Sequence, residues 1–451
     1  MTTFSADLAG FLVGLRTESM PPEVVQKARV CLYNAFGMGI NGHATPYGPV
    51  ARATALALDG EVAGGATLFL DGRRTTIGGA CLANAALFHG RAQEDTCGAA
   101  HFGTILIPLL TALIEARGFP LSRLIPALVA GYEAGGVLEK ALAGKTTTGG
   151  FRSSAIYGTI AASAAAAKLM ELSAEQTAAA LANAVSFAGG VLQSFADGTD
   201  EWRYQVGVVA RNGLVAAELA RSGSVSAPNA FEGKSGFARA FARVDLDSNL
   251  IASLGKDWAV LRVAFKPFPV CAFNQTPVTG ALVLREQLRG SPAKVRVRMN
   301  PYEIGYAGMD AVGPFNTISG TLMSIPFCIA TTLVHGAPTT RHMTTSGGER
   351  SDHAGRARVR SFDPNLERGD RSRDRGRQKA CARAKNDGRR LRLRSADAVG
   401  NAAPDRRRGG RADVGLRPAR AFCRAPAAGR NRRCDLSLHA GAVARPRGVR
   451  R

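Results

Sequence analysis

Charge and apolar side chains are distributed so unevenly along this 451-residue chain that only its first 350 residues are suited to folding around a core. Residues 351–451 contain 29 Arg and Lys against 10 Asp and Glu, a net charge of +19, whereas the first 350 residues carry only +4. The same 101 residues hold 13 Leu, Val and Phe and no Ile, Met, Trp or Tyr. Burial of so little apolar surface does not offset the entropy lost on folding. The sequence therefore predicts an irregular tail.

Three interpretations of the arginine-rich tail, residues 346–451, are open. A basic arm that binds nucleic acid would neutralise phosphates through runs such as Arg406–Arg408, but no recognition helix or RNP-like aromatic motif accompanies it. A natural disordered extension would be richer in Ser, Glu and Lys. Arg, Gly, Ala, Pro and Asp in unpatterned order are typical of GC-rich DNA read out of frame. We favour a frame shift near residues 344–352, which places function in residues 1–345 and makes nucleic acid an unexpected partner.

The body of the chain has the composition of a cytoplasmic protein. Its apolar runs fall short of the ~20 residues that cross a bilayer, and residues 1–7 lack the basic-then-apolar pattern of a secretory signal. Its five cysteines are widely spaced without a Cys-x-x-Cys pair, which argues against a disulfide framework and against a zinc site. We therefore expect a cytoplasmic location, no membrane partner and no metal.

Apolar residues at helical spacing dominate the chain as far as residue 257. A first stripe begins at Phe4, Pro21 and Pro22 open a second helix, and Ser173 is placed as an N-cap. Further helices are predicted at about 78–90, 103–117, 122–143, 153–170, 173–188 and 205–221.

Strand-like alternation begins after Trp258. It covers residues 259–265 and 293–299, and a helix is predicted between them at 276–287. The predicted fold is mainly α, with a large all-helical domain at 1–257, a smaller and truncated α/β lid domain at 258–345, and the irregular tail at 346–451.

Several motifs occur together between about residues 4 and 340. They are His89–Thr96 (HGRAQEDT) with His101, Gly150–Ser154 (GFRSS), Asp197–Thr199 followed by Gly207–Gly213, Lys266–Cys271 (KPFPVC) and Gly313–Phe315. In this order and spacing they resemble the MmgE/PrpD family, which includes 2-methylcitrate dehydratase, cis-aconitate decarboxylase and iminodisuccinate epimerase. The resemblance implies a helical domain with an α/β lid, a homodimer, and no metal or organic cofactor.

The resemblance also implies a site for a small polycarboxylate. The expected catalytic residues are His101 and Asp95, and the expected substrate-binding residues are Thr96, Arg152, Arg203, Lys266 and Gln275. The chain departs from the family pattern at several positions. A family Asp falls on Ala92, a Lys on Trp202, a Tyr on Phe327, and two His fall on Arg152 and Gln275.

These departures leave few proton carriers for an elimination. Removal of water from a hydroxy-acid needs a base, an acid and cations that hold the carboxylates, and arginine supplies charge but not a base. His101 is then the main candidate for base or acid, with Asp95 to orient or charge it and Tyr204 and Lys266 as outside candidates. The alternatives without a catalytic role are that Asp95 caps a helix and that His101 is a packed, hydrogen-bonded histidine.

The sequence thus predicts a cofactor-independent lyase of dehydratase type acting on a small polycarboxylate such as a methylcitrate- or aconitate-like acid. Two alternatives stay open at this point. One is an epimerase or isomerase of an amino- or imino-dicarboxylate, and the other is an inactive, truncated member of the family.

Overall fold

The computed structural model describes residues 2–343, 393–394 and 435–439. Two compact units divide the chain, the first ending at Pro269 and the second beginning at Val270. The sequence-based boundaries after residues 257 and 345 remain predictions. The proposed frame-shift segment, residues 344–352, lies outside the described residues.

The first unit is built from helices joined by short loops. The α-helices are α1 (Phe4–Gly14), α2 (Pro22–Gly42), α3 (Tyr47–Asp59), α4 (Ile77–Phe88), α5 (Gly103–Arg117), α6 (Leu124–Thr146), α7 (Ser153–Leu169), α8 (Ala174–Phe187), α9 (Gln193–Asp197) and α10 (Glu201–Arg221). The strands β1 (Ala66–Thr67) and β2 (Arg74–Thr75) pair antiparallel. Short 3₁₀ turns cover Thr17–Ser19, Leu121–Arg123, Ser248–Ser253 and Ala259–Arg262, and one π-turn covers Ala238–Ala242.

The prediction of a mainly helical fold is confirmed. Helix α5 has the predicted bounds, and α8 begins with the predicted Ser173 cap, whose hydroxyl accepts from the Gln176 backbone N–H. Helix α3 was not predicted. Its buried face consists of Tyr47, Gly48, Ala51 and Ala55, and a stripe of small residues gives almost no apolar periodicity to detect.

Helix α7 lies at the centre of the first unit. Its residues from Ser153 to Ala167 are buried on every side, as expected of a helix that is apolar all round. Helices α6, α8 and α10 pack around it. A Cβ on Gly213 of α10 would lie 2.3 Å from the Ala162 Cβ and 2.8 Å from the Ser163 backbone nitrogen. Glycine at this position therefore permits the close contact of α10 with α7.

The predicted strand at 259–265 is wrong, because this segment forms the 3₁₀ turn Ala259–Arg262. The carboxylate of Glu133 accepts from the backbone N–H groups of Ala259 at 3.0 Å and Val260 at 3.1 Å. Val260 and Val263 are both buried, at the i, i+3 spacing of a 3₁₀ turn. The apolar residues that suggested a strand are buried by this turn instead. Within residues 259–265, only Ala264 forms a β-bridge, and its partner is Thr96.

The second unit contains the predicted helix and strand. Its elements are α11 (Gln275–Gln287), β3 (Lys294–Arg298), α12 (Pro301–Ile304), α13 (Ile318–Met323), α14 (Ile325–His335), α15 (Thr340–Met343), β4 (Leu393–Arg394) and β5 (Asp435–His439). The strands form an antiparallel sheet in the order β3–β5–β4, with Lys294 opposite His439 and Arg298 opposite Asp435. Two strands of this sheet thus come from the tail.

We expect Gly213→Ala to lower the free energy of unfolding by about 1–3 kcal/mol, because the added methyl overpacks the contact of α10 with α7. The matched control is Gly144→Ala in α6, where a Cβ meets nothing within 4 Å. That control should be neutral or stabilising by up to about 1 kcal/mol, since alanine favours helix. Thermal and urea unfolding midpoints measure both variants, and equal effects would contradict the close-packing argument.

Candidate active site

The loop that connects α4 to α5 carries most of the candidate residues. It runs from His89 to Phe102 and is joined to the segment that ends at Lys266. The join is a pair of backbone hydrogen bonds between Thr96 and Ala264, both 2.9 Å long. Gln93 adds a bond from its side chain to the Pro267 carbonyl at 2.9 Å. Two distant stretches of the first unit therefore meet at one place.

The buried carboxylate of Glu94 lies where the His89–Phe102 loop meets the segment that ends at Lys266. Lys266 Nζ donates to Glu94 Oε1 at 2.5 Å, and His101 Nδ1 lies 3.6 Å from the same oxygen. His89 Nδ1 lies 3.3 Å from Glu94 Oε2. Burial raises the pKa of Glu94, but Lys266 and the two histidines outweigh it and hold that pKa well below its usual value. We call His89, Glu94, His101, Arg152 and Lys266 the Glu94 network.

His89 is fully buried at the end of α4. Its Nε2 lies 2.8 Å from Arg152 Nη2. A guanidinium can only donate, so Nε2 accepts and the ring proton is assigned to Nδ1, which faces Glu94. Burial lowers the pKa of His89 to about 4. This histidine is therefore neutral and acts as a spacer between Arg152 and Glu94.

His101 is the partly exposed member of the network. Its side chain is 15% exposed, against 2% for Glu94 and 2% for Lys266. Nδ1 lies 2.9 Å from the Asp95 backbone carbonyl, so it donates there and the lone pair is assigned to Nε2. Burial and the nearby Lys266 charge hold the pKa of His101 well below its usual value. The ring is thus neutral, with Nε2 as its acceptor nitrogen.

The Asp95 carboxylate points away from this ring. It accepts from the Gly103 backbone N–H at 3.2 Å and from the Tyr132 hydroxyl at 2.5 Å. Burial raises the pKa of Asp95 to about 6, and the neighbouring Glu94 charge adds to the rise. The Asp95 contact with the His101 ring is made by its backbone carbonyl, and the carboxylate near the ring is that of Glu94. A catalytic role for Asp95 remains a prediction.

The two predicted arginines are both buried and engaged with protein atoms. Arg152 donates to the Trp202 carbonyl at 2.5 Å and to Gln205 Oε1 at 3.2 Å, in addition to His89. Arg203 donates to the His89 and Gly90 carbonyls at 3.1 and 2.8 Å. Its guanidinium lies 4.0 Å from the Trp202 ring centre. Both arginines bring positive charge next to His89 and hold it in place, Arg152 through the ring and Arg203 through the backbone carbonyl.

The remaining predicted residues have local roles in this structure. The Thr96 hydroxyl donates to the Gly98 carbonyl at 2.5 Å and is buried. Gln275 lies in the second unit, where its side-chain nitrogen donates to the Val270 carbonyl at 3.0 Å. Substrate binding by these two residues remains a prediction, whereas His101, Arg152 and Lys266 are brought together as expected.

Three residues of the site were not singled out from the sequence: His89, Glu94 and Tyr132. The first two stand inside the HGRAQEDT motif, and their place in that motif was the signal that was available. Glu94 lies at a bend of the loop, so no strand-like alternation indicated which way its side chain points. Tyr132 lies in the middle of an apolar helix and gave no such signal.

Within the described residues, no three His, Cys, Asp or Glu side chains are grouped so that they could hold a metal ion. The helices of that same part of the chain are all too short or too polar to cross a bilayer.

A family model matches most of the helical first unit. Residues 6–247 match the MmgE/PrpD N-terminal domain, more than half of the chain. The chain therefore belongs to the MmgE/PrpD family, as its motifs indicated.

Curated relatives of this chain carry one activity in their names. It is 28% identical over 280 residues to the cis-aconitate decarboxylase-like protein oryM of Aspergillus oryzae, covering 58% of this chain and 57% of that protein. It is 23% identical over 354 residues to cis-aconitate decarboxylase of Aspergillus terreus, covering 73% and 71%. The Homo sapiens cis-aconitate decarboxylase is 25% identical over 297 residues, covering 64% and 61%. The chain spans little more than half the length of the first of these relatives.

We expect Tyr132→Phe to destabilise the protein by about 1–3 kcal/mol, because a buried carboxylate loses a donor. The pKa of Asp95, about 6 against an ordinary 3.8, lies above its unfolded value. Ionisation of Asp95 therefore costs stability, and the effect of losing the hydroxyl should grow as pH rises through 6. Unfolding midpoints at pH 5 and pH 8 measure it, with Tyr33→Phe, at an 83% exposed position, as the control. A pH-independent difference would contradict the role of Tyr132.

Proposed function

We propose that this chain is a cofactor-independent lyase that acts on a small polycarboxylate, such as a methylcitrate- or aconitate-like acid, with His101 as its proton carrier. The observation that carries the proposal is the orientation of His101. Its Nδ1 is fixed by a carbonyl at 2.9 Å and faces Glu94 at 3.6 Å, which leaves Nε2 as the acceptor. A neutral imidazole held in one tautomer, backed by a carboxylate, is suited to general base catalysis.

A dehydration can be written with this one group. His101 Nε2 takes the proton from the carbon next to a substrate carboxylate, and the electron pair remains on that carbon, delocalised into the carboxylate. The pair then forms the double bond while the hydroxyl leaves the neighbouring carbon. The departing hydroxyl takes the proton from the imidazolium, so that water and an unsaturated acid are released and His101 is neutral again. Glu94 stabilises the imidazolium while it exists.

The charges of the site favour a polyanion. Lys266, Arg152 and Arg203 are three buried cations, whereas Glu94 is ionised and Asp95 has a pKa of about 6. The positive potential also lowers the pKa of His101, after the larger effect of burial. A bound polycarboxylate would offset that potential and raise the pKa of His101, which makes the neutral ring a stronger base and lets it take up a proton from the substrate in a dehydration or from solvent in a decarboxylation. Binding and proton transfer are then coupled through the same charges.

The names of the relatives favour decarboxylation as the particular reaction. In that case the carbon–carboxylate bond breaks, carbon dioxide leaves, and the electron pair remaining on carbon takes a proton from the His101 imidazolium. The same residue serves both reactions, so the site alone supports the lyase class. Epimerisation of an amino- or imino-dicarboxylate needs a second proton carrier on the opposite face of the substrate.

We expect His101→Gln to lower kcat by about 10²–10⁴-fold with little change in KM, because glutamine cannot carry the proton. The substrates are cis-aconitate, 2-methylcitrate and an imino-dicarboxylate, incubated with the full-length protein in D₂O. Carbon dioxide release, ultraviolet absorbance of the new double bond, and deuterium incorporation without net reaction distinguish decarboxylase, dehydratase and epimerase.

His43→Gln, at an exposed position at the end of α2, is the matched control and should retain the wild-type kcat. A wild-type kcat in His101→Gln would remove His101 from the mechanism. Failure of the wild-type protein to turn over any of the three substrates would favour the inactive family member.

We also propose, with the family resemblance, that the protein is a homodimer. Helix α10 exposes an apolar stripe formed by Val208, Val215 and Leu219, each between 41% and 46% exposed. Their spacing of seven and four residues places them on one side of the helix. Such a stripe is a suitable surface for a second copy.

We expect Leu219→Asp to shift the protein from dimer to monomer in sedimentation equilibrium, because a charge in an apolar contact is left unpaired. Val225→Asp, at a fully exposed position outside the helices, should leave the association unchanged. A monomeric wild-type protein would exclude the dimer, and an unaffected Leu219→Asp dimer would place its interface elsewhere.

A further inference from the structure

Glu139 is a buried carboxylate that the mechanism above does not use. It lies on α6, two turns after Tyr132, and is only 5% exposed. Its Oε1 accepts from the Ala99 backbone N–H at 2.8 Å. Ala99 belongs to a tight turn in which Cys97 and Ala100 exchange two backbone hydrogen bonds of 2.8 and 3.2 Å. The carboxylate therefore holds the tip of the loop that carries His101.

The turn is built to receive this carboxylate. Gly98 has a φ of +61°, which a residue with a side chain rarely adopts. A Cβ at this position would lie 2.2 Å from Glu139 Oε2. Glycine thus serves both the turn and the close approach of the carboxylate. Gly98 is exposed and Ala99 is half-buried, so this anchor comes from beneath a turn at the protein surface.

His101 directly follows Ala100, the last residue of this turn. Three contacts then determine where its ring lies. Nδ1 donates to the Asp95 carbonyl, and the His101 backbone N–H donates to the Ser154 hydroxyl oxygen at 3.0 Å. The third contact is the bond by which Glu139 holds the preceding turn. The first two bind His101 itself, and the third fixes the chain that leads to it. A displacement of about 1 Å in a reacting group can cost about 10²-fold in rate.

We propose that Glu139 is a positioning residue of the active site, which holds the Cys97–Ala100 turn through Ala99 and thereby sets the position of His101. The proposal rests on the proposed function for its kinetic consequence and on the geometry of the turn for its structural one. The required property of residue 139 is a hydrogen-bond acceptor. Glutamine retains that property, and leucine, of similar size, removes it.

The test compares Glu139→Leu with Glu139→Gln in the full-length protein. We expect Glu139→Leu to lower kcat about 10- to 100-fold with KM changed less than about 3-fold, and Glu139→Gln to restore kcat to near the wild-type value. Gly213→Ala, which destabilises helix packing away from the loop, is the control for a general loss of stability and should retain kcat. Equal losses in the leucine and glutamine variants, or wild-type kcat in both, would overturn the proposal.

A second readout does not depend on turnover. The chain has seven histidines, and ¹³C-histidine labelling with His101→Gln identifies the His101 signal by NMR. Glu139→Leu should move that signal and bring its titration towards that of an exposed histidine, while Glu139→Gln and Gly213→Ala should not. An unmoved signal in Glu139→Leu would overturn the proposal even if the protein lacks lyase activity. Should the leucine variant fail to fold, Gly98→Ala displaces the turn from the other side and must give the same shift.

Discussion

The buried ion pair of Lys266 with Glu94 is the contact on which the rest of the site depends. Two charges removed from water are stabilised only if their remaining hydrogen-bonding capacity is met. Glu94 meets it only in part, because Lys266 donates to one oxygen whereas His89 Nδ1 lies 3.3 Å from the other without a well-aligned hydrogen bond. Lys266 is the main reason that the carboxylate stays ionised, and burial is the main reason that the two histidines stay neutral. Removal of either partner would leave a charge without compensation in the interior.

Three polar side chains of helix α6 hold the loops that carry this site. Tyr132 holds Asp95, Glu133 holds the turn that begins at Ala259, and Glu139 holds Ala99. The three residues thus reach both stretches of chain that meet at the Thr96–Ala264 bridge. A helix in the interior of an all-helical unit holds its side chains in fixed positions, because its backbone is fixed by its own hydrogen bonds. The polar side chains of α6 are therefore as much part of the site as the residues that face a substrate.

The helices, the family and part of the site could be predicted from the sequence. The reason differs from one feature to the next. Helix α5 could be predicted because its long run of apolar residues and Gly118 at its end agree. His101 and Lys266 could be predicted because their residue types and motif positions agree. Glu94 could not, because the direction of its side chain depends on a bend of the loop. The turn at Ala259 could not either, because Glu133, 126 residues away, captures its backbone. Long-range capture of backbone groups leaves no local pattern.

The Glu94 to Lys266 contact joins residues that are 172 positions apart. Closing so long a loop is entropically costly, and contacts of this range form late, after the local helices have been made. We therefore expect the segment that ends at Lys266 to dock after the local helices of the first unit have formed. A chain that has built α4 to α10 but has not yet docked this segment would contain every helix around the site and still lack the Lys266 charge that keeps Glu94 ionised. The proposed activity would then be lost before helical content in partial unfolding.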